Sequence, residues 1–181
     1  MKTWFLAAAL LLSACSTGPA TCPRLPDGTT YCIAGGAWPD FETEQIATIT
    51  YREKSMRMIA RISSGEKGVH FAGVSLLGQT LLSVSLVDGV LRTEAPGGAA
   101  HQLDGGLLIA LLQLSVWPAD DLAKVLPPGL ALDDRPGSRV IRNRNGDEVL
   151  SIVRKGETLP FERLRMQAPG AGLSIDSSAL K

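Results

Sequence analysis

The stretch DGGLLIALLQLSVWP, residues 104–118, decides how this 181-residue chain must fold. Asp104 is a residue type suited to an N-cap, Leu107 to Trp117 form a nearly continuous apolar run, and Pro118 ends it. A helix of that composition is apolar nearly all round. It has no face to offer water, so it must be covered on most sides.

The flanking sequence supplies the cover as strands. In Gln45 to Tyr51, the side chains of Ala47, Ile49 and Tyr51 share one face and Thr48 and Thr50 the other. In Met56 to Ile62, Met56, Met58, Ala60 and Ile62 oppose Arg57 and Arg61. The alternation continues through Gly68 to Val74 and Gln79 to Val87, and Asp88-Gly89 turns the chain into Val90 to Glu94. Beyond the helix, Asn145-Gly146 is a hairpin signal between Arg139 to Arg144 and Asp147 to Arg154. Phe161 to Met166 and Leu173 to Asp176 are weaker closing strands, and Ala119 to Leu126 is a second short helix before Pro127-Pro128. The expected fold class is α+β: a strongly curved antiparallel sheet or open β-barrel with a helical plug.

The N-terminus carries an address. Lys2 precedes an unbroken apolar run from Trp4 to Leu12, which is too short for a transmembrane helix of about 20 residues and has the length of a signal peptide core. Leu12-Ser13-Ala14-Cys15 resembles the lipobox of bacterial lipoproteins, in which the cysteine becomes the acylated first residue. This divides the chain into a signal peptide, residues 1–14, a lipidated tether rich in Ser, Thr, Gly and Pro, residues 15–30, and one domain, residues 31–181. Anchoring through several acyl chains is strong, since each buried methylene contributes about 0.8 kcal/mol. By resemblance to Gram-negative sorting rules, Ser16 points to the outer membrane, on its periplasmic face.

Assigning Cys15 to lipid leaves Cys22 and Cys32 as a pair. An oxidising compartment permits a bridge worth roughly 2–4 kcal/mol; two free thiols are the alternative, because sequence does not set the distance between them. A zinc shell lacks further ligands nearby, and neither a metal nor a cofactor is expected.

Charge and catalytic residues narrow the function. The chain has 18 basic and 18 acidic groups, which gives no global case for nucleic acid. Eight of the basic groups (Arg135, Arg139, Arg142, Arg144, Arg154, Lys155, Arg163 and Arg165) fall between residues 135 and 165, either as a solvated sheet face or as a face for anionic headgroups or an acidic carrier. His70 sits in a strand and His101 in a Gly/Ala-rich loop, and Ser75 lacks the spacing of a nucleophile elbow. No phosphate loop, dinucleotide fingerprint or EF-hand is present, so an enzyme is not expected.

Cys22-Pro23-Arg24-Leu25-Pro26, the Gly73 to Gln79 segment, Asp88-Gly89, and Leu112-Gln113-Leu114 leading to Trp117-Pro118 resemble a family of uncharacterised Gram-negative lipoproteins, a domain of unknown function. The resemblance implies a LolA/LolB-like fold, an open antiparallel barrel with a helical lid over an apolar cavity, and an association with aryl-polyene and fatty-acid-like gene clusters. It also implies a role for Leu76 and Leu77, which occupy the place of the apolar loop by which LolB meets the membrane; ordinary core packing is the alternative. The resulting expectation is a non-catalytic, lipid-anchored protein that binds an acyl chain or lipidated cargo and assists its transfer to the membrane, in contact with a periplasmic carrier or transporter. Tyr51, Met56, Met58, Phe71, Leu111 and Trp117 are the candidate lining, and core packing accounts for the same residues. The competing expectation is an assembly or scaffold lipoprotein of an envelope transport or polyene synthesis system.

Overall fold

The computed structural model describes residues 21–96 and 104–180. Ten strands and two helices follow in the order β1 (Phe41–Tyr51), β2 (Lys54–Gly65), β3 (Gly68–Val74), β4 (Thr80–Val87), β5 (Val90–Glu94), α1 (Gly105–Val116), α2 (Ala119–Val125), β6 (Ala131–Arg135), β7 (Ser138–Arg142), β8 (Glu148–Lys155), β9 (Arg163–Ala168) and β10 (Leu173–Ala179). The strands form one antiparallel sheet in the order β5-β4-β3-β2-β1-β10-β9-β8-β7-β6. Neighbours in the sheet are neighbours in sequence at every join except β1 with β10, where Tyr51 opposes Leu173 and Ile49 opposes Ile175.

The sheet is not closed into a barrel, since β5 and β6 end it as edges. It is nevertheless bent around α1. A Cβ on Gly105 would collide with Thr93 Oγ1 on β5, while the carbonyls of Leu114 and Trp117, at the other end of the helix, accept from Arg139 on β7. In a flat sheet those strands would lie about 38 Å apart, yet a helix of this length spans only about 18 Å. Curvature brings both strands to one helix.

Alternation explains which side faces the helix. Phe41, Gln45, Ala47 and Ile49 of β1 are buried with Met58 and Ala60 of β2, Val69 and Phe71 of β3, and Leu82, Val84 and Leu86 of β4. The opposite rows carry Arg57, Arg61, Ser83 and Ser85. Helix α1 buries Ile109 through Val116 without a break, so its apolar composition is matched by cover on every side. Asp104 caps it, its carboxylate accepting the Gly106 N–H at 2.8 Å.

The structure adds two elements to those read from the sequence. Residues 131–135 form a strand, β6, where the sequence carries no strand signal: Ala-Leu-Asp-Asp-Arg has almost no apolar alternation, and pairing with β7 rather than burial holds it. Ordered structure is also present before residue 31. Residues 21–33 form a short hairpin in which Arg24 bridges Thr30, the Tyr31 N–H donates to Pro23 O, and Cys22 is bonded to Cys32. Leu25 is buried there, so this part of the expected tether is packed structure. The expected signal peptide, Cys15 and His101 lie outside the described residues.

Candidate functional site: an apolar crevice beneath helix α1

The hairpin of residues 21–33 and the chain after it cover part of α1. Thr21 and Pro23 lie against Gly106, Gly36 lies against the Trp117 ring, and Trp38 meets Trp117 edge-on with centroids 5.9 Å apart. One polar side chain on the helix fixes this cover. Gln113 accepts from the Tyr31 hydroxyl at 2.7 Å and from the Ala34 N–H at 3.0 Å, and its amide donates to Ala34 O at 3.0 Å. Burial pushes the Tyr31 phenol well above its ordinary pKa, so it stays a neutral donor.

The far end of α1 is held by charge. Arg139, only 2 % exposed, donates to the carbonyls of Leu114 and Trp117 at 2.7 and 2.9 Å and to both Asp134 oxygens at 2.9 and 3.0 Å. A cation suits that position because the helix C-terminus is the negative end of its dipole. Arg154 adds a second contact to Asp134 at 2.6 Å. Burial acts to raise the Asp134 carboxyl, but the hydrogen bonds and charges of Arg139 and Arg154 outweigh it and hold it below the usual carboxylate range.

At its N-terminal end α1 packs against β4 and β5 through Gly105 but leaves a crevice against β1 and β10. Ile49, Tyr51, Leu107, Leu108, Leu111, Leu173 and Ile175 line it, with Asp104 as the one charged residue among the described residues of the lining, around a volume of 130 Å³. A further 50 Å³ lies deeper, sharing Ile49, Leu108, Leu111 and Ile175 and reaching Phe71, Met166, Gln45 and Ser177. The polar residues at the deep end are satisfied among themselves: Ser177 donates to Gln45 at 2.6 Å, and Gln45 to Phe161 O at 2.9 Å.

Of the lining expected from sequence, Tyr51 and Leu111 face the crevice and Phe71 its deeper part. Met58 and Trp117 do not: Met58 is fully buried against Gly73, and Trp117 packs on Trp38 at the opposite end of the helix. Both belong to the packed core. Met56 is half-buried beside Ile49 and lines neither volume. Sequence reasoning missed Ile49, Leu107, Leu108, Leu173 and Ile175. Their apolar periodicity is visible, but their convergence depends on the pairing of β1 with β10, for which sequence spacing holds no signal.

Leu76 and Leu77 stand on the turn between β3 and β4, 59 % and 90 % exposed. The turn is closed by Gly78 N–H to Ser75 O at 2.9 Å and by Gln79 N–H to the Ser75 hydroxyl at 3.1 Å. This is the end of the sheet where β1 stops at Tyr51, β10 starts at Leu173 and α1 begins, hence the end at which the crevice lies. The basic residues of the C-terminal half are mostly engaged. Arg135 pairs with Asp133, Arg139 and Arg154 with Asp134, Lys155 with Glu162, and Arg163 and Arg165 with Asp176. His70 is exposed on the outer face of β3.

The profile of a family described as protein of unknown function (DUF3261) matches residues 42–177, most of the chain and nearly all of the sheet. The chain belongs to the DUF3261 family. The match runs from β1 to β10 and therefore contains α1 and the whole crevice, whereas the disulfide hairpin precedes it. No curated protein matches the chain.

Proposed function

We propose that this DUF3261 protein is an outer-membrane lipoprotein of LolA/LolB-like shape, acylated at Cys15 on the periplasmic face. In this reading it holds an acyl chain, or the acyl part of lipidated cargo, beneath α1 and assists its passage into the membrane without catalysing a reaction. What carries the reading is the placement of the exposed Leu76-Leu77 pair at the same end of the sheet as an apolar crevice. An exposed pair of leucines is costly to keep in water and cheap to place in lipid.

The crevice is small. Its 130 Å³ is close to the roughly 150 Å³ that accepts a benzene-sized group and below the roughly 300–1,000 Å³ of a preformed drug-sized pocket. A long chain therefore requires α1 to move away from β1 and β10, the strands whose Ile49 and Ile175 form the opposite wall. The experiment is uptake of an environment-sensitive fluorescent fatty acid by the purified chain. Saturable uptake that falls on replacing Leu108 with Trp supports the reading; no uptake contradicts it.

The packed state of Met58 and Trp117 favours a second reading, a scaffold lipoprotein of an envelope transport or polyene synthesis system that docks through its surface. A stable protein partner retained by the Leu108→Trp variant distinguishes it.

A further inference from the structure

We propose that Arg52 and Lys54 make the mouth of the crevice selective for amphiphiles with an anionic headgroup, a carboxylate or a phosphate. This rests on the reading of the crevice as a ligand site and adds the chemistry of the ligand's head. Tyr51 lines the mouth, and the Arg52 guanidinium lies over its ring, 5.1 Å from the centroid. Lys54 opposes Tyr51 across the β1–β2 pair, so its side chain leaves the sheet on the crevice side. Among the described residues neither cation is in an ion pair, while the arginines of β6 to β9 that reach carboxylates are neutralised locally.

Asp104, the acid at the same mouth, is committed elsewhere. Its carboxylate accepts the N–H groups of Gly106 and Leu107 and is matched to the positive end of α1. An incoming anion therefore meets two cations that have no ion pair among the described residues, with Asp104 held by the helix through Oδ1 and Glu53, between the two cations, as the remaining exposed acid of the turn.

The backbone adds an independent sign. Arg52 and Glu53 form a two-residue hairpin turn with φ of 46° and 69°, a conformation that favours Asn-Gly. Ordinary side chains there are strained, and strain of this kind collects at functional positions. Arg52 occupies a place where hairpin stability alone selects Asn. In this strained turn Arg52 places its guanidinium over the aromatic ring at the crevice mouth.

The test uses the full chain in its own membranes, photolabelled with an eight-carbon chain carrying a diazirine and challenged with octanoate, octyl phosphate or octanol. Labelling is expected at Leu108, Leu111 or Leu173, with one or both anions competing at about tenfold lower concentration than octanol; which anion competes distinguishes a carboxylate from a phosphate ligand. Arg52→Asn combined with Lys54→Thr should erase that preference, and Arg52→Asn alone should fold at least as stably as the parent, so lost selectivity is not lost structure. Crevice labelling with no preference for anions, or a preference the double variant keeps, overturns the headgroup assignment and leaves the ligand site standing. No labelling in the crevice removes the ligand site and the assignment with it.

Discussion

The Tyr31 hydroxyl donates to Gln113 Oε1 across 2.7 Å of buried space, joining the N-terminal hairpin to the polar side chain in the middle of α1. The pair explains why an otherwise apolar helix keeps an amide. Gln113 satisfies the Ala34 backbone in both directions as well, so the segment covering the helix is held by side-chain hydrogen bonds in place of strand pairing.

Gln113→Leu should therefore destabilise the protein by about 2–3 kcal/mol, because it orphans a buried hydroxyl and two half-buried backbone groups. Adding Tyr31→Phe should recover part of the loss. Denaturant unfolding of the two single variants and the double variant checks this; strictly additive losses would show that the two side chains are not coupled.

Asp134→Asn should cost about 3 kcal/mol near neutral pH, since it removes the carboxylate from the buried Arg139 guanidinium. The Asp134 carboxyl is held below its ordinary value, so its contribution is complete above about pH 4 and is lost as the pH falls through the folded value. The gap between parent and variant should thus narrow in acid. A gap that widens on acidification contradicts the assignment.

Reduction of the Cys22–Cys32 bridge should lower stability by about 2–4 kcal/mol by freeing the hairpin in the unfolded chain. Loss of the bridge also loosens the cover that Gln113 holds. Hydrogen exchange at Tyr31 and Ala34 should then accelerate more than exchange in β1, β2 and β10; uniform acceleration would mean that the hairpin does not open by itself.

Leu77→Trp should leave stability within about 0.5 kcal/mol of the parent, because the side chain is 90 % exposed. If Cys15 anchors the protein as proposed, lipids brominated on their acyl chains should quench the new indole. Trp38 and Trp117 are buried and should be spared. If the introduced indole is not quenched, the turn does not reach the membrane.

Much of this fold was legible because local signals agreed with the tertiary result. Asp104 and Pro118 bracket α1, and the alternation at Ala47, Ile49 and Tyr51 or at Leu82, Val84 and Leu86 selects the buried rows. The sequence was silent where neighbours in space are distant in the chain. Leu25 and Tyr31 look like isolated apolar residues in a turn-rich lead, yet both are buried. Arg139 looks like one of a solvated basic set and proves to be 2 % exposed, since its partners are carbonyls at the end of a helix more than 20 residues away. The candidate site divides the same way: Tyr51 and Leu111 could be named, but Leu173 and Ile175 reach them through the β1–β10 pairing.

The most direct measurement is native mass spectrometry of the full chain purified from its own membranes, beside the Leu108→Trp variant. The mature chain should begin at acylated Cys15 and carry an additional bound amphiphile that the variant lacks. A chain that carries no acyl groups on Cys15 and no ligand, or one whose ligand survives filling of the crevice, would contradict it.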